Sequence, residues 1–190
     1  SFGMLCSAKE LGLAEDASGL FDLPSHLRAG DALIDALALN DTIFEVNLTP
    51  NRGDCMSVLG VAREVAATRK QPLKGSFGAS VAGVVRESFP VRLEAARACP
   101  KFVGRIIKGV NGTASSPFWM QERLRRAGIR PISAIVDVTN YVMIELGQPM
   151  HAYDLRTLSG AVIVRHARDG ETLKLLDGRT IALTPDVLVI

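Results

Sequence analysis

The sequence predicts an α+β chain, and three observations predict it. Residues 42–48 alternate apolar and polar side chains, and a helical pattern follows over 58–69 after a short turn. Two more helical patterns, 118–127 and 134–146, stand close together. Behind them come short strand-like runs at 162–165, 172–176 and 179–183.

Each element has its own signal. From residue 1 to about 33 the chain is short apolar pieces between turn residues. Ser7 to Gly12 reads as one helical turn ended by Gly12, and Ser18-Gly19 and Pro24-Ser25 read as loops. Phe44, Val46 and Leu48 alternate with Ile43, Glu45 and Asn47, the pattern of a half-buried strand. Thr49 to Asp54 is a turn cluster that stops it. Asn51-Arg52-Gly53-Asp54 carries the letters of a cell-adhesion tripeptide, but reads as part of that turn. Ser57 fits an N-cap for the helix from Val58, with Val58, Val61, Ala62 and Val65 as its apolar stripe. Residues 74–85, rich in Gly, Ser, Ala and Val, read as a linker or loose edge. Val91 to Glu94 and Phe102 to Ile107 read as strands. Ser116 is a candidate cap, with Pro117 at the first position of a helix ending at Gly128. Ser133 caps the next, whose stripe is Ile135, Val138, Val142 and Leu146 and whose stop is Gly147. Asp177-Gly178 is a strong hairpin signal. Val187 to Ile190 reads as a buried strand.

The bulk numbers bound the function. At 47% hydrophobic, 190 residues can bury a sizeable core in one large domain or two small ones. A net charge of +2 removes any whole-chain electrostatic case for nucleic acid, so only a local basic patch can make one. Three dispersed cysteines without a Cys-x-x-Cys pair, and three histidines distant from them, argue against a zinc site and a disulfide framework. Reduced thiols in a cytosolic protein are the expectation. No apolar run approaches the roughly 20 residues of a membrane span. Ser1 to Cys6 lacks the features of a signal peptide, and both ends suggest a chain cut from something longer.

Chemistry concentrates between residues 128 and 154. Asp137, Thr139, Asn140, Glu145, Gln148 and His151 lie in a run that otherwise reads as buried. Interior polar groups need partners, so the run is a structural network or the wall of a site. Asn140 sits mid-helix, where asparagine is unfavourable, and His151 follows a sharp helix exit at Pro149. Asp137 and Glu145 stand about two helical turns apart, too far for contact. Arg123, Arg126 and Arg130 share helical spacing and could line one phosphate-binding stripe, or simply form a solvated face. No metal-ligand spacing and no nucleophile elbow are present.

These residues resemble a known family. Phe44 to Cys55 with Val58 to Glu64, Trp119 to Arg130, and above all Asp137 to Asp154 resemble the bacterial phenylalanyl-tRNA synthetase beta subunit. Ser1 to Cys6 with Glu10 to Leu13 resembles the end of its tRNA-binding OB-type domain. Met56, Ser133 and Tyr153 depart from the pattern, which carries Leu, Asn and Phe there. The resemblance implies that residues 1–33 end the OB-type domain, 34–75 are the second half of a B1-like domain, 76–88 a linker, and 89–190 the first part of the B3/B4 domain. That domain hydrolyses tyrosine wrongly esterified to tRNA(Phe). The resemblance places Asn140 and His151 in a partial editing pocket, with His151 positioning substrate or a water and general base as a second role. The remaining walls, a glutamate and a threonine among them, would lie beyond Ile190. It implies an alpha subunit in an alpha2beta2 heterotetramer and a cytoplasmic setting, and with tRNA as the partner the stripe of Arg123, Arg126 and Arg130 becomes a candidate tRNA contact. No cofactor is expected in this region. ATP and Mg²⁺ would serve the whole enzyme, mainly on the alpha subunit. The isolated piece is expected to be inactive and to expose apolar surface. The competing reading is a scaffold and RNA-docking region without chemistry of its own.

Overall fold

The structure is a computed structural model that describes residues 3–14, 19–75, 78 and 80–190. The expectations for Ser1, Phe2 and Ser18, and for residues 76, 77 and 79 of the linker, lie outside the described residues. Elsewhere in 71–88 the backbone is without regular elements.

Near the N-terminus, Ser7 and Glu10 cap one another. The Ser7 amide and hydroxyl both donate to Glu10 Oε2 at 2.8 Å, and the Glu10 amide donates to Ser7 Oγ at 3.3 Å. Those bonds hold the Glu10 carboxyl below its ordinary pKa. Gly12, at φ +69°, ends the turn as expected, with the amide of Leu13 reaching back to Ala8 O. This segment packs forward through Phe21, whose ring lies 6.2 Å from Phe118. A short helix α1, Leu33–Ala36, follows.

Helix α2, Val58–Thr68, begins where Ser57 Oγ accepts the amide of Gly60 at 3.0 Å, so that cap stands. Its buried residues, however, are Leu59 and Gly60. The anticipated stripe is open, with Val58 54% and Val65 55% exposed. Gly60 is fixed by closeness. A Cβ there would stand 1.9 Å from Asp54 O in the 3-10 turn Gly53–Cys55.

Strand β1, Val91–Leu93, pairs in parallel with β2, Val162–His166, in the register Val91↔Val162. The crossover between them carries α3, Phe118–Arg126, and α4, Ala134–Leu146. On the far side of β2 runs β5, Leu188–Val189, antiparallel. Strands β3, Thr172–Lys174, and β4, Thr180–Ala182, form a separate antiparallel pair. Its loop is Leu176-Asp177-Gly178, with Gly178 at φ +87° and the Leu175 amide donating to Arg179 O at 2.7 Å. The core sits under α3 and the central strand, where Leu124 and Val164 are each 1% exposed.

Several expectations fail for identifiable reasons. Residues 42–48 and 102–107 form no strand, since neither finds a neighbour to complete its backbone hydrogen bonds. Phe44 is left 81% and Val103 77% exposed. The end of the chain does pair as β5, yet Leu188 and Ile190 are exposed rather than buried. Ser116 is not a cap. Pro117 holds that place, and the Ser116 hydroxyl turns to Asp137. Ser133 keeps the extended backbone of an N-cap without a side-chain bond. Of the α4 stripe, Ile135, Val138 and Leu146 are exposed.

Candidate functional site around helices α3 and α4

Asp137 organises this corner. It stands in the first turns of α4 and is 1% exposed. Its Oδ1 accepts the amide of Ile132 at 2.8 Å and its Oδ2 accepts the hydroxyl of Ser116 at 2.5 Å. One carboxylate thereby ties the start of α3, the connection and the start of α4 together. The helix N-terminus beneath it favours negative charge. Of the polar run, Asp137 alone is buried; the other members are half-buried or exposed, because the run faces outward more than the sequence suggested.

The arginines divide. Arg125 grips Glu122 through two bonds of 2.9 and 2.7 Å, which raises its pKa. Arg126 reaches Asp41 at 2.7 Å, Ala38 O at 2.7 Å and Glu122 at 3.4 Å. Arg123 meets no carboxylate among the described residues. Its guanidinium lies 5.4 Å from the ring centre of Trp119 and 5.9 Å from that of Tyr141, and donates to the Tyr141 hydroxyl at 2.7 Å. The two rings meet edge to face at 5.4 Å. Arg130 is not on the expected stripe, because α3 stops at Arg126 and Gly128 turns the chain at φ +78°.

Asn140 is half-buried on α4. His151 is exposed beyond the helix exit, where Gly147 adopts φ +76°, and its ring stacks on Tyr153 at 5.8 Å and 13°. Neither bonds another side chain among the described residues. Neither lines the groove between residues 46–49 and α2, nor the one between Phe44, Met56, Val58, Ala127 and Ile144. Just past His151, Asp154 caps a 3-10 turn, Leu155–Thr157, and pairs with Arg156, which holds its carboxyl below the usual range.

One cluster has the donor types of a metal site. Asp54, Cys55 and Glu64 place ligand atoms within 4.8 Å of one another. Arg52 already occupies them, at 3.0 Å from Asp54, 2.5 Å from Glu64 and 3.0 Å from Cys55 Sγ. Its guanidinium pKa rises in response, chiefly through Asp54. A hard divalent ion such as Mg²⁺ does not fit beside that cation and a thiol.

Sequence reasoning missed three partners. Trp119 lies four residues before Arg123, and Glu122 three and four before Arg125 and Arg126, so helical spacing could have found both. Asp41 lies 85 positions from Arg126, and no local signal reveals it.

The comparisons agree with this architecture. Residues 98–190, which include α3, α4 and strands β2 to β5 but not β1, match the family model of the B3/4 domain. The class is thus a B3/4-containing α+β chain. Over all 190 residues the chain is 55% identical to the phenylalanine–tRNA ligase beta subunit of Methylococcus capsulatus. It is 54% identical to that of Hahella chejuensis and 50% to that of Pectobacterium atrosepticum, again over its full length. It belongs to the phenylalanine–tRNA ligase beta-subunit family, and spans 24% of the length of these curated relatives. No helix among the described residues is long and apolar enough to cross a membrane.

Proposed function

We propose that this chain is a tRNA-facing part of a phenylalanine–tRNA ligase and supplies one wall of a site that hydrolyses tyrosine from mischarged tRNA(Phe). The observation that supports this is an open polar face at α4 and its exit. Asn140 is half-buried on the helix, and His151 and Tyr153 are exposed beyond it and stacked on one another, in a chain that is similar throughout to subunits of that name. Deacylation adds water to the ester carbonyl and releases tyrosine and the tRNA hydroxyl. A wall that bonds the phenolic hydroxyl would be left with an unpaired polar group by phenylalanine, and this is how such a site discriminates. Asn140 offers both a donor and an acceptor for that task. His151 positions the ester or the attacking water, with general base as the lesser role. The remaining walls, the alpha subunit, and the ATP and Mg²⁺ of aminoacylation would lie outside this chain.

A scaffold role is the second reading, and the pairing of Arg126 with Asp41 and Glu122 favours it, since that charge is spent within the protein. The readings separate in the assembled ligase carrying His151→Ala. The editing reading expects deacylation of Tyr-tRNA(Phe) to fall on the order of 10- to 100-fold with aminoacylation intact. Unchanged deacylation in a folded enzyme would leave the scaffold.

A further inference from the structure

We infer that Trp119, Arg123 and Tyr141 form a docking platform for an unpaired nucleotide of the bound tRNA, with a base on the exposed indole and a phosphate on Arg123. The inference rests on the reading of the chain as part of a tRNA ligase. Geometry carries it beyond that reading. The indole stays 50% exposed although Tyr141 abuts it edge to face and the Arg123 guanidinium lies over the ring, so it is braced and still keeps open surface. Arg123 is braced as well, by the two rings and by the Tyr141 hydroxyl.

Charge selects the occupant. On α3, Arg125 and Arg126 are both neutralised by Glu122, and Arg126 by Asp41 also. Arg123 is the arginine of that helix with no carboxylate among the described residues, and a guanidinium has five N–H donors. One hydrogen bond to Tyr141 leaves several for an anion. A planar aromatic face beside an unneutralised, immobilised arginine is the chemistry that stacks a base and holds its phosphate. A protein partner with an apolar face would leave that charge unmet.

The test is tRNA binding by the assembled ligase carrying Arg123→Gln or Trp119→Leu, measured across a salt series. Arg123→Gln should weaken binding and reduce the slope of log K against log salt by about 1. Trp119→Leu should weaken it about tenfold, with Trp119→Phe retaining most of the affinity. Arg123→Gln changes an exposed side chain, so it keeps the test open should Trp119→Leu fail to fold. Wild-type affinity and slope in Arg123→Gln would overturn the platform. So would loss of subunit assembly in Trp119→Leu with Arg123→Gln binding normally, which would mark a protein interface. Absence of tRNA binding by the unmodified assembly would instead defeat the ligase reading itself.

Discussion

Asp137 joins three pieces of chain through one buried carboxyl, so its removal has a defined cost. Asp137→Ala orphans the Ser116 hydroxyl in the interior and the Ile132 amide at a part-buried position. An unpaired buried donor costs about 1–3 kcal/mol and a part-buried one less, so a loss of roughly 2 kcal/mol is expected. The check is hydrogen exchange at the Ile132 amide in the assembled protein. Protection there should fall in the variant, and unchanged protection would mean that the amide has another partner. Gly60 makes a similar demand through space alone. Gly60→Ala drives a methyl into the Asp54 carbonyl, which belongs to rigid backbone, and should cost at least about 2 kcal/mol locally, read as faster hydrogen exchange at the first bonded amides of α2 in the assembled protein. At this scale the sequence was partly legible. A run of polar residues at 128–154 correctly drew the eye to Asp137, but not to its partners, because Ser116 lies 21 positions away. Ser116 also fits a cap rule well, and only the folded geometry reveals that Asp137 takes its hydroxyl instead.

Between β2 and β3 the chain is pinned by a two-bond ion pair, Arg165 to Glu171 at 2.8 and 2.7 Å, with the Arg168 amide adding a third donor. Arg165 first, then that amide, lower the Glu171 pKa from 4.5 to about 2. A depressed folded-state pKa means the unfolded chain takes up the proton first as pH falls. The pair's contribution is therefore complete above about pH 4.5 and is lost as pH falls through about 2. An NMR titration of the Glu171 side chain should show its midpoint near 2, and a midpoint near 4.5 would contradict the pairing. Helices were the elements best read from sequence. Their hydrogen bonds are local, so Ser57, Gly128 and Gly147 announce their ends without help from the rest of the chain. Strands need neighbours. Residues 43–48 have the alternation of a strand, but alternation supplies no partner, and the segment stays irregular beside α2. Apolar stripes failed likewise. Ile135, Val138, Val142 and Leu146 keep helical spacing on α4, yet Ile135, Val138 and Leu146 stay exposed, because a helical period names a face without supplying what packs on it.

The whole chain exposes 15455 Å², where a compact monomer of its mass would expose about 8,800 Å². Much of the excess is apolar, including Phe44, Met56, Val84 and Leu176. These 190 residues taken alone should bind a hydrophobic dye and unfold without one sharp transition, and a single cooperative transition by calorimetry would contradict that. Half-buried Asn140 on α4 and exposed His151 past its exit carry the editing reading. If Asn140 and His151 serve one editing pocket, they act on the same bound ester and their effects must couple. The direct measurement is deacylation of Tyr-tRNA(Phe) by the assembled ligase with Asn140→Ala, His151→Ala and both, with aminoacylation followed in parallel. Each single variant should slow deacylation, and the double variant should lose less than the product of the two losses, with aminoacylation preserved. Deacylation at the unmodified rate in all three folded variants would contradict the account.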